Sequence, residues 1–285
     1  VGGSARGWGG FKPSTEQISR LAELGCNTLW LLPIEDYSTY HPRDYYKLQA
    51  GIGSAEEYRE LVRTAHALGL HVWQDIVPHG GHNDYPRAIE HPEWLLQEED
   101  GSTLDYWCFD FFWPTWIDYI RGVADHYVRT FGIDGYRIDA CSGSKIMNWN
   151  PAIPYARASL SQSQGGLAMQ RAIRGAVRAL QPEGSVLAEV GSTIHGTVSD
   201  AVYDFAMCYQ VLPAGKVQPA GDFVRNLRRW LHEQQQSEVK DLLRLRHIES
   251  HDSLRAEWQY GPEPMRAAMA MSAWIYGIPM VFYEM

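Results

Sequence analysis

The chain has 285 residues, 45% of them hydrophobic and 21% charged, which is enough apolar material for one large buried core and excludes a disordered scaffold. Its 25 Lys and Arg against 34 Asp and Glu give a formal charge of −9 with no basic run, so a phosphate-tracking surface is excluded and no nucleic acid is expected as a partner. No apolar stretch approaches the roughly 18 residues of a membrane span, so the expectation is a soluble protein, extracellular or cytoplasmic, with no membrane partner.

In chain order, Ser14-Thr-Glu-Gln17 reads as a capping box, followed by Ile18, Leu21 and Ala22 on one helical face and a stop at Gly25. The apolar run from Asn27 to Ile34 then predicts a strand buried on both faces. The unit repeats. Ser54 and Glu57 open a helix striped by Tyr58, Leu61, Val62, Ala65 and Leu68, Gly69 stops it, and His71 to Val77 is the next strand. Further helices are expected near 115–130, 166–180, 221–236 and 263–276, and further strands at Gly135–Asp139, Ser185–Val190, Ala201–Phe205, Leu245–Ser250 and Ile278–Tyr283.

Helices alternating with buried strands predict an α/β fold, and the regular spacing suits a (β/α)8 TIM barrel better than a doubly wound sheet. The whole of 1–285 is expected to be a single catalytic barrel domain, incomplete at its first strand and last helix. The opening VGGSARGWGG is too rich in glycine for a buried strand, so the first strand is expected to lie upstream or to be irregular. No helix follows the last strand, so the chain is expected to be joined to further domains of the same polypeptide. Residues 80–114, with Trp94, Trp107 and Trp113, read as an enlarged loop subdomain after the third strand of the barrel.

Barrel sites lie at the C-terminal ends of the strands. Charge gathers there at Asp75 and His79, at Arg137 and Asp139, at Glu189, and at His251 and Asp252. Period-two alternation puts Arg137 and Asp139 on one face of their strand, opposite Tyr136 and Ile138. A buried carboxylate is costly unless paired, and one internal Arg could serve as the hub of a purely structural ion network. Three carboxylates for one such Arg over-supply negative charge, which favours chemistry. Glycosidic bond cleavage needs two carboxyl groups of different pKa, one to attack the sugar carbon and one to protonate the leaving oxygen. Arg137 would keep Asp139 ionised, and neighbouring carboxylates would keep Glu189 protonated.

At these residues the sequence resembles the α-amylase superfamily, glycoside hydrolase family 13. The four short regions that mark that family stand in order as Asp75-Ile-Val-Pro-His79, Gly135-Tyr-Arg-Ile-Asp139-Ala, Leu187-Ala-Glu189-Val and His247-Ile-Glu-Ser-His251-Asp252. The resemblance runs from the helix at Ser14 to the Ile278–Tyr283 strand. It implies a retaining glycoside hydrolase acting on α-glucans or α-glucosides through a covalent glycosyl-enzyme, with a carbohydrate as partner. By the same resemblance Asp139 is the nucleophile, Glu189 the acid/base and Asp252 the transition-state stabiliser, while Arg137 and His251 touch the reacting sugar and Tyr40 is the stacking tyrosine. Asp75, His79 and His82 complete the expected substrate-binding set.

The departures are specific. The family has Asn then His after the strand of the first region, where this chain has His79 and Gly80, so the usual sugar-binding His is absent unless His82 substitutes. That Asn is a calcium ligand in many amylases, so His79 tells against calcium there, and no cofactor is expected. The family's frequent Lys-His pair after the nucleophile is Ser142-Gly143 here. Three other readings compete: a transglycosylase on the same scaffold, a silent carbohydrate-binding domain, and a metal-dependent barrel hydrolase with Asp75, His79 and His82 as ligands.

Overall fold

A computed structural model describes residues 2–3, 9–38, 40–80, 85–105, 108–142, 147–152 and 164–282. The chain divides into two compact units, residues 3–189 and residues 190–285, with the first two residues grouped with the latter. Among the described residues of the glycine-rich opening, Gly2–Gly3 forms a two-residue strand, β1.

In the unit 3–189, helix α1 (Phe11–Glu23) begins earlier than the sequence pattern predicts. Ser14 is not its cap: it sits inside the first turn and its Oγ donates to the Gly10 carbonyl at 2.6 Å. Burial of Phe11 explains the shift, because its ring stacks on Tyr58 at 4.8 Å and its amide donates to the Ile52 carbonyl at 2.7 Å. Gly10 permits that approach, having φ of 110° and a virtual Cβ only 2.6 Å from the Ile52 oxygen. Strand β2 (Thr28–Leu31) follows, and then a hairpin that the sequence pattern did not predict, β3 (Glu35–Ser38) paired antiparallel with β4 (His41–Leu48). Helix α2 (Ala55–Ala67) does carry the expected capping box, with the Ser54 hydroxyl accepting from the Glu57 amide and Glu57 accepting from the Ser54 amide.

Strand β5 (His71–Ile76) leads into the enlarged loop, which contains a short helix α3 (Pro86–Glu90), a 3-10 turn Pro92–Trp94 and bridges Leu95–Phe109 and Gln97–Thr103. The loop is therefore packed: Trp94 and Phe109 are buried, and Phe109 lies 4.2 Å from Trp116 on helix α4 (Pro114–Phe131). Strand β6 (Gly135–Ile138), helix α5 (Gly166–Leu180) and strand β7 (Ser185–Ala188) complete the unit. Strands β2, β5, β6 and β7 pair in parallel in that order. Parallel strands joined by covering helices are buried on both faces, which is why these runs are apolar without alternation.

In the unit 190–285, β8 (Ala201–Tyr203) pairs in parallel with β9 (Leu243–Arg246), and β9 with the short β10 (Ile278–Pro279). A π-helical turn Met207–Val211 runs into α6 (Leu212–Ala214), followed by α7 (Ala220–Ser237), and α8 (Ala256–Tyr260) and α9 (Pro262–Trp274) follow β9. Met207, Leu212, Ile248, Ala256, Tyr260 and Ala268 form the core here. The strand expected at Leu245–Ser250 starts two residues sooner and ends at Arg246. Its arginines explain the register: Arg244 pairs with Glu238 and Arg246 with Asp204, which anchors the alternate face of a four-residue strand. Among the described residues no helix is long and apolar enough to cross a membrane.

Candidate active site

The parallel register assembles the site of the unit 3–189. Asp75 on β5 lies directly across from Arg137 on β6, and Ile138 across from Ala188 on β7. Asp139 and Glu189 therefore leave adjacent strand ends side by side, each amide still bonded to the neighbouring strand, at Ile76 and Ile138. Tyr136 points the other way, its hydroxyl donating to the Ala124 carbonyl of α4 at 3.1 Å, so the alternation read from the sequence holds.

Arg137 is the hub and is fully buried. Its Nη1 donates to both oxygens of Asp75 at 3.0 Å and to Asp139 Oδ1, and its Nη2 forms an ion pair with Glu189 Oε1. The guanidinium carbon sits 5.4 Å from the Trp30 ring and 5.8 Å from the Tyr40 ring, so two aromatic faces add to its stabilisation. Tyr40, with φ of 64°, donates its hydroxyl to Asp75 at 2.9 Å.

The two strand-end carboxyls are driven apart electrostatically. Burial alone would raise Asp139, but the Arg137 charge and then the hydrogen bond and charge of His79 outweigh it and hold the group well below the usual carboxylate range. For Glu189, burial dominates; although Arg137 opposes it, the Asp139 charge adds to burial and the pKa rises to about 7. Ala140, in the left-handed region at φ of 40°, turns its amide onto Glu189 Oε2 at 2.7 Å and so fixes that carboxyl. The pair thus offers one ionised carboxyl and one that keeps a proton up to about neutral pH, both held on the Arg137 guanidinium.

His79, expected as a sugar contact, is buried at 2% exposure and turned onto the protein, with Nε2 2.7 Å from Asp139 Oδ2 and Nδ1 2.7 Å from the Gly80 carbonyl. Both ring nitrogens of His79 are thus engaged by protein groups, Asp139 and Gly80. Asp75 is likewise committed to Arg137 and Tyr40, and His82 lies outside the described residues. Gly80 cannot carry the family's histidine: its φ is 81° and a Cβ would meet the Phe109 ring at 2.6 Å and Cys108 Sγ at 2.9 Å.

His251 and Asp252 belong to the unit 190–285, in a turn beyond β9 rather than on the expected strand. His251 Nε2 is 3.1 Å from Asp252 Oδ2, whose side chain is 54% exposed, and the Asp252 amide donates to Ser250 Oγ at 3.2 Å. Trp30, the Ala140 amide and the grip of His79 on Asp139 were not singled out from the sequence. Only Trp30, as a large ring on a strand facing the predicted barrel interior, left a readable signal.

Two differently charged carboxyls around an internal arginine at the ends of parallel strands have the arrangement that glycosidic bond cleavage requires. Residues 2–115 match the model of the alpha-amylase catalytic domain. Alpha-amylase 2 of Dictyoglomus thermophilum is 28% identical over 162 residues, covering 50% of this chain and 28% of that protein. A cyclomaltodextrinase of Geobacillus thermopakistaniensis is 24% identical over 271 residues, covering 80% and 42%. A noncanonic maltogenic alpha-amylase from Thermotoga neapolitana superposes with a TM-score of 0.78 at 23% identity over 99% of this chain and 66% of that one. The chain thus spans less than half the length of these two curated relatives. Over residues 2–115 the chain is similar to the alpha-amylase catalytic domain, and its likeness to the solved amylase structure shows an α/β barrel fold.

Proposed function

We propose that the chain is the catalytic barrel of a retaining glycosidase of the α-amylase type, acting on α-glucans or α-glucosides. The observation that carries this reading is the opposed protonation of Asp139 and Glu189 on adjacent strand ends. Asp139 attacks the anomeric carbon as the bond to the leaving oxygen breaks and Glu189 hands its proton to that oxygen. Glu189, now a carboxylate, takes a proton from water, which displaces Asp139 and frees the sugar. Asp252 stabilises the positive charge that develops on the ring, and Arg137, His251 and Tyr40 serve on the sugar side.

The closeness of the two carboxyls, on adjacent strand ends and on the two Nη atoms of one guanidinium, supports double displacement, because a pair that activates water directly needs a gap of about 6.5–9.5 Å between them. The expected result is an α-anomer as the first-formed sugar, read by proton NMR, with chromatography over a panel of α-glucans and α-glucosides naming the substrate. A β-anomer from an α-linked substrate would reject double displacement. Products longer than the substrate would show a sugar rather than water as the acceptor.

A further inference from the structure

We propose that His79 is a positioning residue for the nucleophile, holding Asp139 by one oxygen while Arg137 holds the other, through a turn that the enlarged loop clamps shut. This rests on Asp139 acting as proposed above. The division of labour is geometric: Arg137 Nη1 takes Asp139 Oδ1, and His79 Nε2 takes Oδ2 at 2.7 Å, so the carboxylate cannot rotate about its own axis.

The ring of His79 is itself fixed. The Gly80 oxygen can only accept, so Nδ1 carries a hydrogen towards it, and the contact at Asp139 requires a further proton between Nε2 and Oδ2. The turn that supplies the Gly80 carbonyl is locked from the loop side, where the Phe109 amide donates to the His79 carbonyl at 3.3 Å and the Phe109 ring and Cys108 Sγ occupy the space a Gly80 side chain would need. Phe109 is anchored in turn by Trp116 at 4.2 Å and by Tyr85 at 6.0 Å. The loop therefore reaches the nucleophile through one imidazole. The groups acting on Asp139 are Arg137, His79 and Glu189, with Asp75 sharing the same guanidinium.

The consequence lies in both half-reactions. A hydrogen bond that favours the ionised carboxylate keeps Asp139 ready to attack, and favours its departure when the bond between its oxygen and the anomeric carbon breaks and the electron pair returns to it. The test compares wild type with His79→Ala and His79→Gln, the latter close in size and a donor without charge. The acid limb of the kcat/KM profile is expected to move up by about one pH unit in His79→Ala and by less in His79→Gln. An acid limb that stays put in both overturns the proposal. Independently of turnover, NMR of histidine-labelled protein should show a low-field, slowly exchanging Nε2 proton on His79 that vanishes in Asp139→Ala, and its absence from wild type overturns the proposal as well. If wild type turns over no α-glucan or α-glucoside, the reading of the function fails while the NMR arm still decides the His79 contact.

Discussion

Asp139→Ala, Glu189→Gln and Asp252→Asn should each lower kcat/KM on the substrate that the sugar panel identifies by about a thousandfold or more, about 4 kcal/mol at 1.4 kcal/mol per tenfold, with the melting transition retained. Each removes a group to which the proposed mechanism gives a part in the transition state. Arg137 carries no transferable proton at neutral pH, and Asp75 is occupied by Arg137 and Tyr40. The pH profile separates the roles. Glu189 must be protonated to act as acid, and burial raises its pKa to about 7, so kcat/KM falls as pH rises through about 7. Asp139 must be ionised, and because Arg137 and His79 outweigh its burial and depress it, activity falls only when pH drops below the ordinary aspartate range. Glu189→Gln should abolish the basic limb. Activity within tenfold of wild type in any one variant would remove that residue from its role.

Arg137→Met should be the most damaging single change to the unit 3–189, lowering its stability by about 3–5 kcal/mol in urea melts. The side chain is fully buried, and its loss would leave the carboxyl groups of Asp75 and Asp139 facing one another without the guanidinium that bridges them. The sign is checked by a second variant. Adding Asp75→Asn to Arg137→Met removes one of the stranded charges and should recover part of the loss, since the penalty is that of unpaired buried charge rather than of missing packing. No recovery would mean that the cavity, not the charge, sets the cost.

How far the site could be read in advance depended on whether a feature was local. Period-two alternation was enough to send Arg137 and Asp139 one way and Tyr136 the other, and parallel pairing then put Asp139 beside Glu189. The capping box at Ser54 was legible for the same reason, since both partners lie within four residues. Ser14 misled because a residue far along the chain, Tyr58, gives Phe11 a stacking partner and so moves the helix start back to Gly10. The hairpin at 35–48 was hidden by its charges: Asp36, Arg43, Asp44 and Lys47 break any alternation of apolar and polar residues. The direction of the His79 ring could not be read, because the Gly80 turn that accepts its Nδ1 hydrogen is packed by Phe109 and Cys108 from the far end of the enlarged loop.

The cysteines give the fold a clock. Cys108, Cys141 and Cys208 are buried, and burial pushes the thiols of Cys108 and Cys208 up to about 12 and that of Cys141 higher still, so almost none of them is thiolate while the chain is folded. Thiolate is the reactive form, so only the partly exposed Cys26 is open to a thiol reagent in the native state. Each of the others must wait for its surroundings to open. Cys108 and Cys141 belong to the unit that holds Asp139, and Cys208 to the unit that holds Asp252. The order in which these three thiols acquire label, read by mass along the chain, is therefore the order in which the surroundings of each open under stress.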